Sequence, residues 1–159
     1  VPNSYYDATN YKTRLSIGYL LRHSSKLITL HIESLFVGTS ISFVQYVMLM
    51  NIRDGLCTTA AELCHLIGHD SGAIARLIEQ MEKQDMLKRE RSESDRRTVE
   101  LSLTEQGRQI ADSFIPKVAA LYNELLEDFT PEETNMLISL LSRFDQKLVQ
   151  KKDKSGCGL

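Results

Sequence analysis

Apolar residues fall on helical steps along most of the chain. In residues 11–36, Ile17, Leu20, Leu21, Leu27, Ile28, Ile32 and Leu35, with Ser24 among them, recur every three or four positions, the spacing of one helix face. Gly38 and Thr39 interrupt the pattern. Residues 42–53 predict a second helix with Phe43, Val44, Val47, Met48 and Met50 on its apolar side, ended by the turn pair Asp54-Gly55. Thr59 with Glu62 three residues later reads as a capping box, so a short helix opens there and carries Leu63, Leu66 and Ile67. Gly68 suits its C-terminal cap. Asp70 suits the N-cap of the next helix, residues 71–84, whose inward stripe is Ala73, Ile74, Leu77, Ile78 and Met81.

The pattern then changes. Residues 87–91 follow no helical period, 92–97 are polar and charged, and 98–103 alternate polar with apolar, as a half-buried strand does. A β-hairpin is therefore expected directly after the second helix of a helical corner. Helical spacing resumes after Thr104, with Ala111, Phe114, Val118, Leu121 and Leu125 in a narrow seam; Pro116 within it predicts a bend. Thr130-Pro131-Glu132-Glu133 opens a last helix lined by Leu137, Leu140, Leu141, Phe144 and Leu148.

Two short helices joined by a tight glycine turn form a helix-turn-helix, and a hairpin in this position is a wing. The fold expected is mainly α with a small β-hairpin. It divides into an N-terminal arm and first helix (1–36), a winged helix-turn-helix lobe (37–103), C-terminal helices (104–150) and a flexible tail (151–159).

Composition narrows the class. The chain has 159 residues, 42% hydrophobic and 25% charged, ordinary for a folded domain. It shows neither a run long enough to span a bilayer nor a signal-peptide pattern at its start, so a cytoplasmic location is expected. Three cysteines, Cys57, Cys64 and Cys157, form no CxxC pair, which argues against a disulfide framework or zinc ribbon. The net charge of −2 speaks mildly against a nucleic-acid partner, but phosphate binding depends on local placement. Lys88, Arg89, Arg91, Arg96 and Arg97 face three acids, Glu90, Glu93 and Asp95, within ten residues. GxSxG, HExxH, Walker and GxGxxG motifs are all missing, so an enzyme is not expected.

The densest signal runs from Arg76-Leu77-Ile78-Glu79-Gln80-Met81-Glu82-Lys83-Gln84-Asp85-Met86-Leu87-Lys88-Arg89 through Ser94-Asp95-Arg96-Arg97 to Leu103-Thr104-Glu105-Gln106-Gly107. These segments resemble the multiple-antibiotic-resistance regulator (MarR) family. Its pattern has an Arg-Leu start, a helix ending near Glu-Lys-x-Gly-Leu, an Asp-Arg-Arg wing and Leu-Thr-x-x-Gly opening the next helix. Asp85-Met86 departs from it, because the family usually has Gly followed by an aliphatic residue. The close match covers residues 76–107; in element order the likeness extends over 15–148.

The resemblance implies a homodimeric regulator of transcription, commonly a repressor, reading a pseudo-palindromic operator in double-stranded DNA. The major groove admits a helix, and the N-terminal half of the second corner helix reaches base edges. That selects Ser71, Gly72, Ala73 and Arg76; Asp70 is left a capping role, since its charge would repel phosphate. Arg76 suits a guanine or a phosphate, the alternative being an ordinary surface pair with Glu79 or Glu82. An arginine at a hairpin tip suits a narrow minor groove. By the resemblance Arg97 is that residue, Asp95 aims it, and Lys88, Arg89, Arg91 and Arg96 meet phosphates.

The resemblance also implies a small aromatic carboxylate or phenolic effector between the reading and dimerising parts, with no other cofactor. A carboxylate needs a cation or donor in an apolar surrounding, which makes Arg14, Arg22, His23 and His31 of the first helix and Tyr46 of the second candidates. Each reads equally well as an interface or surface residue. The alternatives are a redox-responsive regulator using Cys57 or Cys64, metal sensing through Cys64, His65 and His69, and a winged-helix protein-interaction module that binds no DNA.

Overall fold

The computed structural model describes residues 5–68, 70–92 and 97–155, the last four by backbone alone. Six helices and one hairpin are described. After a single 3-10 turn (Thr13–Leu15) come α1 (Ile17–Ser34), α2 (Phe43–Arg53), α3 (Ala60–Ile67), α4 (Ser71–Lys83), β1 (Leu87–Arg91), β2 (Val99–Leu103), α5 (Glu105–Leu125) and α6 (Pro131–Ser155).

Most ends follow from local chemistry. Ser42 and Gln45 exchange hydrogen bonds at the start of α2, and Thr59 and Glu62 do the same at the start of α3, each satisfying orphan helix donors. Gly68 ends α3 with φ +73°, the left-handed conformation in which glycine carries no Cβ penalty. Helix α1 is shorter than the expected 11–36. The Ser16 hydroxyl accepts the Tyr19 N–H at 3.3 Å, and the Tyr6 hydroxyl accepts the Ile17 N–H at 3.0 Å. Both starting donors are thus satisfied from outside the helix, which fixes its origin at Ser16. At the other end of the chain, the tail expected from 151 is helical as far as Ser155, because lysine has good helix propensity. Helix α5 runs through Pro116 without ending.

The chain forms two compact units, Val1–Val118 and Ala119–Leu159. The core of the first unit holds Met48, Leu49, Leu63, Ile74, Ile78, Met81 and Leu87, all essentially inaccessible. Phe36, Tyr46 and Phe114 add a ring cluster in which Phe36 and Phe114 stack at 4.5 Å. Along most of α1 the expected apolar stripe is not covered: Ile32 is buried, but Ile17, Leu20 and Leu27 are exposed. In the second unit, Leu137, Leu140, Leu141, Phe144 and Leu148 of α6 are all exposed.

Candidate nucleic-acid interface

Helix α4 is set by a cap and a stripe. The Asp70 carboxylate accepts the Ala73 N–H at 2.9 Å. Ile74, Ile78 and Met81 are buried, which turns the opposite side of the helix to solvent. On that side lie Ser71, Gly72, Ala75, Arg76, Glu79, Gln80, Glu82 and Lys83. Ser71, Gly72 and Arg76 are exposed as expected, whereas Ala73 is half-buried. Ala75 and Gln80 share the outward face and were not foreseen; subtracting the buried stripe from the helix would have found them.

Arg76 is uncommitted among the described residues. Lys83 holds Glu79 at 2.8 Å and Arg89 lies 3.5 Å from Glu82, so the two carboxylates that could neutralise it are engaged elsewhere. Lys83 also holds the Glu79 carboxyl below its ordinary pKa, first by its hydrogen bond and then by its charge. Among the described residues, Arg76 has no side-chain partner.

The hairpin pairs Leu87 with Leu103, Arg89 with Leu101 and Arg91 with Val99 on one face, and Lys88 with Ser102 and Glu90 with Glu100 on the other. The basic residues expected as one footprint are therefore split. Lys88 is tied to Glu90 at 2.7 Å, and Arg89 leans back toward Glu82 of α4. Arg91 is exposed at the far end of the ladder without a side-chain partner among the described residues, and Arg97 is exposed where the chain returns. Asp95 and Arg96 lie outside the described residues. The hairpin is anchored at its other side, where the Leu101 N–H donates to the Thr58 carbonyl at 2.7 Å ahead of α3.

The expected effector residues lie apart among the described residues. Arg14 sits in the 3-10 turn rather than in α1; Arg22, His23 and His31 are exposed on α1; Tyr46 is buried in the ring cluster. His23 stacks on Tyr19 at 5.5 Å. A cleft of about 200 Å³ lies elsewhere, among Tyr5, Tyr6, Asn10, Lys12 and Leu15. Cys57 is buried, which with the Glu62 charge pushes its thiol up; that works against the thiolate a redox sensor needs. Cys64 is half-buried. His69 and Cys157 lie outside the described residues.

A capped helical corner whose second helix leads straight into a basic antiparallel hairpin defines the class: a winged helix-turn-helix protein. Residues 32–114, over half the chain, match the sequence model of the family described as transcriptional regulator SarA/Rot. The chain belongs to the SarA/Rot family of transcriptional regulators, and regulation rather than enzymatic catalysis is its work. It is 29% identical over 133 residues to the HTH-type transcriptional regulator SarZ of Staphylococcus epidermidis, covering 84% of this chain and 88% of that protein. Its fold is that of MarR proteins. A mutant MarR from E. coli complexed with operator DNA superposes with a TM-score of 0.65 at 22% identity, over 87% of this chain and 99% of the other. BpsR of Bordetella bronchiseptica, from work on regulation of its DNA binding by 6-hydroxynicotinic acid, superposes at 0.69 with 20% identity, over 85% and 96%.

Proposed function

We propose that the chain regulates transcription by binding a pseudo-palindromic operator as a homodimer, with α4 in the major groove and the hairpin end beside the minor groove. The observation that carries this reading is the outward face of α4. Its N-terminal turn is small and capped from within, and Arg76 projects a guanidinium that no carboxylate among the described residues neutralises. Ser71, Gly72 and Ala75 leave room for close approach to base edges. Arg97 and Arg91, with Asp95 and Arg96, supply the hairpin contact. The uncovered apolar stripes of α1 and α6 are the surfaces that a second copy would bury. A regulator of this kind works in the cytoplasm, where its DNA is.

The test is fluorescence anisotropy with a labelled duplex from upstream of the chain's own gene. Arg76→Ala should weaken binding by roughly 5- to 150-fold, the range of a lost bidentate base contact at about 1–3 kcal/mol. Unchanged affinity in Arg76→Ala and Arg97→Ala together sinks the reading, and leaves the winged-helix protein-interaction module in its place.

A small aromatic or phenolic effector that relieves repression is the second element of the proposal. The exposed Arg22 and the His23 ring stacked on Tyr19 support it, as does the regulation of BpsR's DNA binding by 6-hydroxynicotinic acid. Such a ligand must favour the conformation that does not bind DNA. Titration calorimetry of Arg22→Ala and His23→Ala with a hydroxylated aromatic acid should show weakened binding; unaltered affinity removes both residues.

A further inference from the structure

Arg53 is the last residue of α2, and its guanidinium reaches across to α5. Its Nε forms an ion pair with Asp112 Oδ1 at 2.7 Å and its Nη1 donates to Asp54 Oδ1 at 3.2 Å, with Arg53 28% and Asp112 49% exposed. Asp112 stands five residues beyond Gly107, whose backbone is seated on Met86 (a Cβ there would lie 1.8 Å from the Met86 carbonyl oxygen). Five residues are about 7.5 Å of helix. A helix held at one point can swing about it; held at two, it has a direction. Helices α2 and α5 also meet in a ring contact, Tyr46 against Phe114 at 5.7 Å, and apolar rings, whose attraction is non-directional, slide more readily than a close ion pair. Just beyond the tie, Pro116 has no N–H to offer the Asp112 carbonyl, so Asp112 is the last fixed position before α5 loses an internal bond.

We propose that Arg53 and Asp112 are positioning residues for DNA binding. Together with the Gly107 seat, the pair fixes the first turns of α5 against the lobe that carries α4 and the hairpin, and so sets how those elements are presented, without itself touching DNA. This rests on the DNA-binding reading above.

The test uses Arg53→Gln, Asp112→Asn and the double variant in the full chain. Affinity for the labelled upstream duplex is read from 50 to 200 mM salt, with thermal unfolding alongside. Asp112→Asn leaves Arg53 paired with Asp54, so the fold has little reason to fail. Each single variant should lose roughly threefold to tenfold in affinity, the double should lose no more than either single, and the salt slope should stay unchanged. Full affinity in Asp112→Asn, or losses that add in the double variant, overturns the proposal. So does a slope reduced by about 0.9 for each copy bound in Arg53→Gln alone, which would mean that Arg53 contacts a phosphate itself. If the unaltered chain binds no duplex at the lowest salt, the DNA-binding reading fails and takes this proposal with it.

Discussion

Gly107 lies on the backbone of Met86 so closely that a Cβ would stand 1.8 Å from the Met86 carbonyl oxygen and 2.7 Å from its carbonyl carbon. That same oxygen accepts the Thr104 N–H at 3.2 Å, while the Thr104 hydroxyl donates to the Asp85 carbonyl at 2.5 Å and Gln106 Nε2 to the Gln84 carbonyl at 3.0 Å. The end of α4, the root of the hairpin and the start of α5 thus meet on one short stretch of backbone. The Leu-Thr-x-x-Gly motif is the sequence trace of this junction: Thr104 supplies the bonds and Gly107 the space.

Two substitutions here should move stability in opposite directions. In Gly107→Ala the clash is with backbone, which cannot swing aside as a flexible side chain could, so the loss should be about 3 kcal/mol, the upper part of the overpacking range. Asp85 sits at φ +54°, where an L-residue is strained and glycine is not. Asp85→Gly should therefore gain about 1 kcal/mol, less the entropy glycine loses on folding. Urea unfolding of the two variants checks both. A stable Gly107→Ala, or an Asp85→Gly destabilised like an ordinary glycine substitution, would contradict the geometry.

The split of the basic residues makes a second prediction. Lys88 is already neutralised by Glu90, whose carboxyl it holds below its ordinary pKa, chiefly by the hydrogen bond. A phosphate would have to displace that partner. Arg91 has none to displace among the described residues. Arg91→Ala should weaken binding to all duplexes alike and lower the salt slope by about 0.9 for each copy bound, whereas Lys88→Ala should change both much less. Equal effects would mean that the Lys88–Glu90 pair opens on DNA.

The start of α3 carries a pH signature. Glu62 accepts the N–H groups of Thr58 and Thr59 at 2.7 and 2.9 Å, and these bonds, Thr58 first, hold its pKa below the ordinary 4.5. A depressed carboxyl stabilises the fold above its ordinary pKa, and that contribution fades as pH falls through the lowered value. Glu62→Gln should therefore melt below the parent at pH 7, and the gap should close as pH falls well below 4.5. A gap that persists at acid pH would show that the charge contributes nothing.

Periodicity and capping were enough to locate α2, α3, α4, the hairpin and the seat of α5, because each is decided by residues a few positions apart. Asp70, Gly68 and the Thr59–Glu62 box all act as their types suggest. Long-range pairing was not legible in the same way. Glu79 and Lys83 are a local pair on one helix face, but that Glu82 approaches Arg89, leaving Arg76 without a side-chain partner among the described residues, depends on where the hairpin turns back. The strut from Arg53 to Asp112 joins residues 59 positions apart that no local pattern connects. The start of α1 departs from its apolar pattern for a related reason: the Tyr6 hydroxyl that holds the Ile17 N–H comes from 11 residues upstream, outside any helical repeat.

The apolar stripe of α6 sets the last expectation. Leu137, Leu140, Leu141, Phe144 and Leu148 recur at three- and four-residue steps, and each is between 36% and 52% exposed. Stripes on that spacing are built to pack against another helix, and fully burying such a side chain is worth about 1.5–3 kcal/mol. Met136 and Ile138 widen the exposed surface. If a second copy covers it, Leu141→Asp should convert the protein from dimer to monomer in sedimentation velocity. The same variant should weaken duplex binding far more than loss of one contact would, because two half-sites can no longer be held together. The helical content of the separated chains should remain largely intact, since α2 to α4 have a buried core of their own in the first unit. A Leu141→Asp protein that sediments as a dimer would place the contact between copies on some other surface, with the exposed face of α1 next in line.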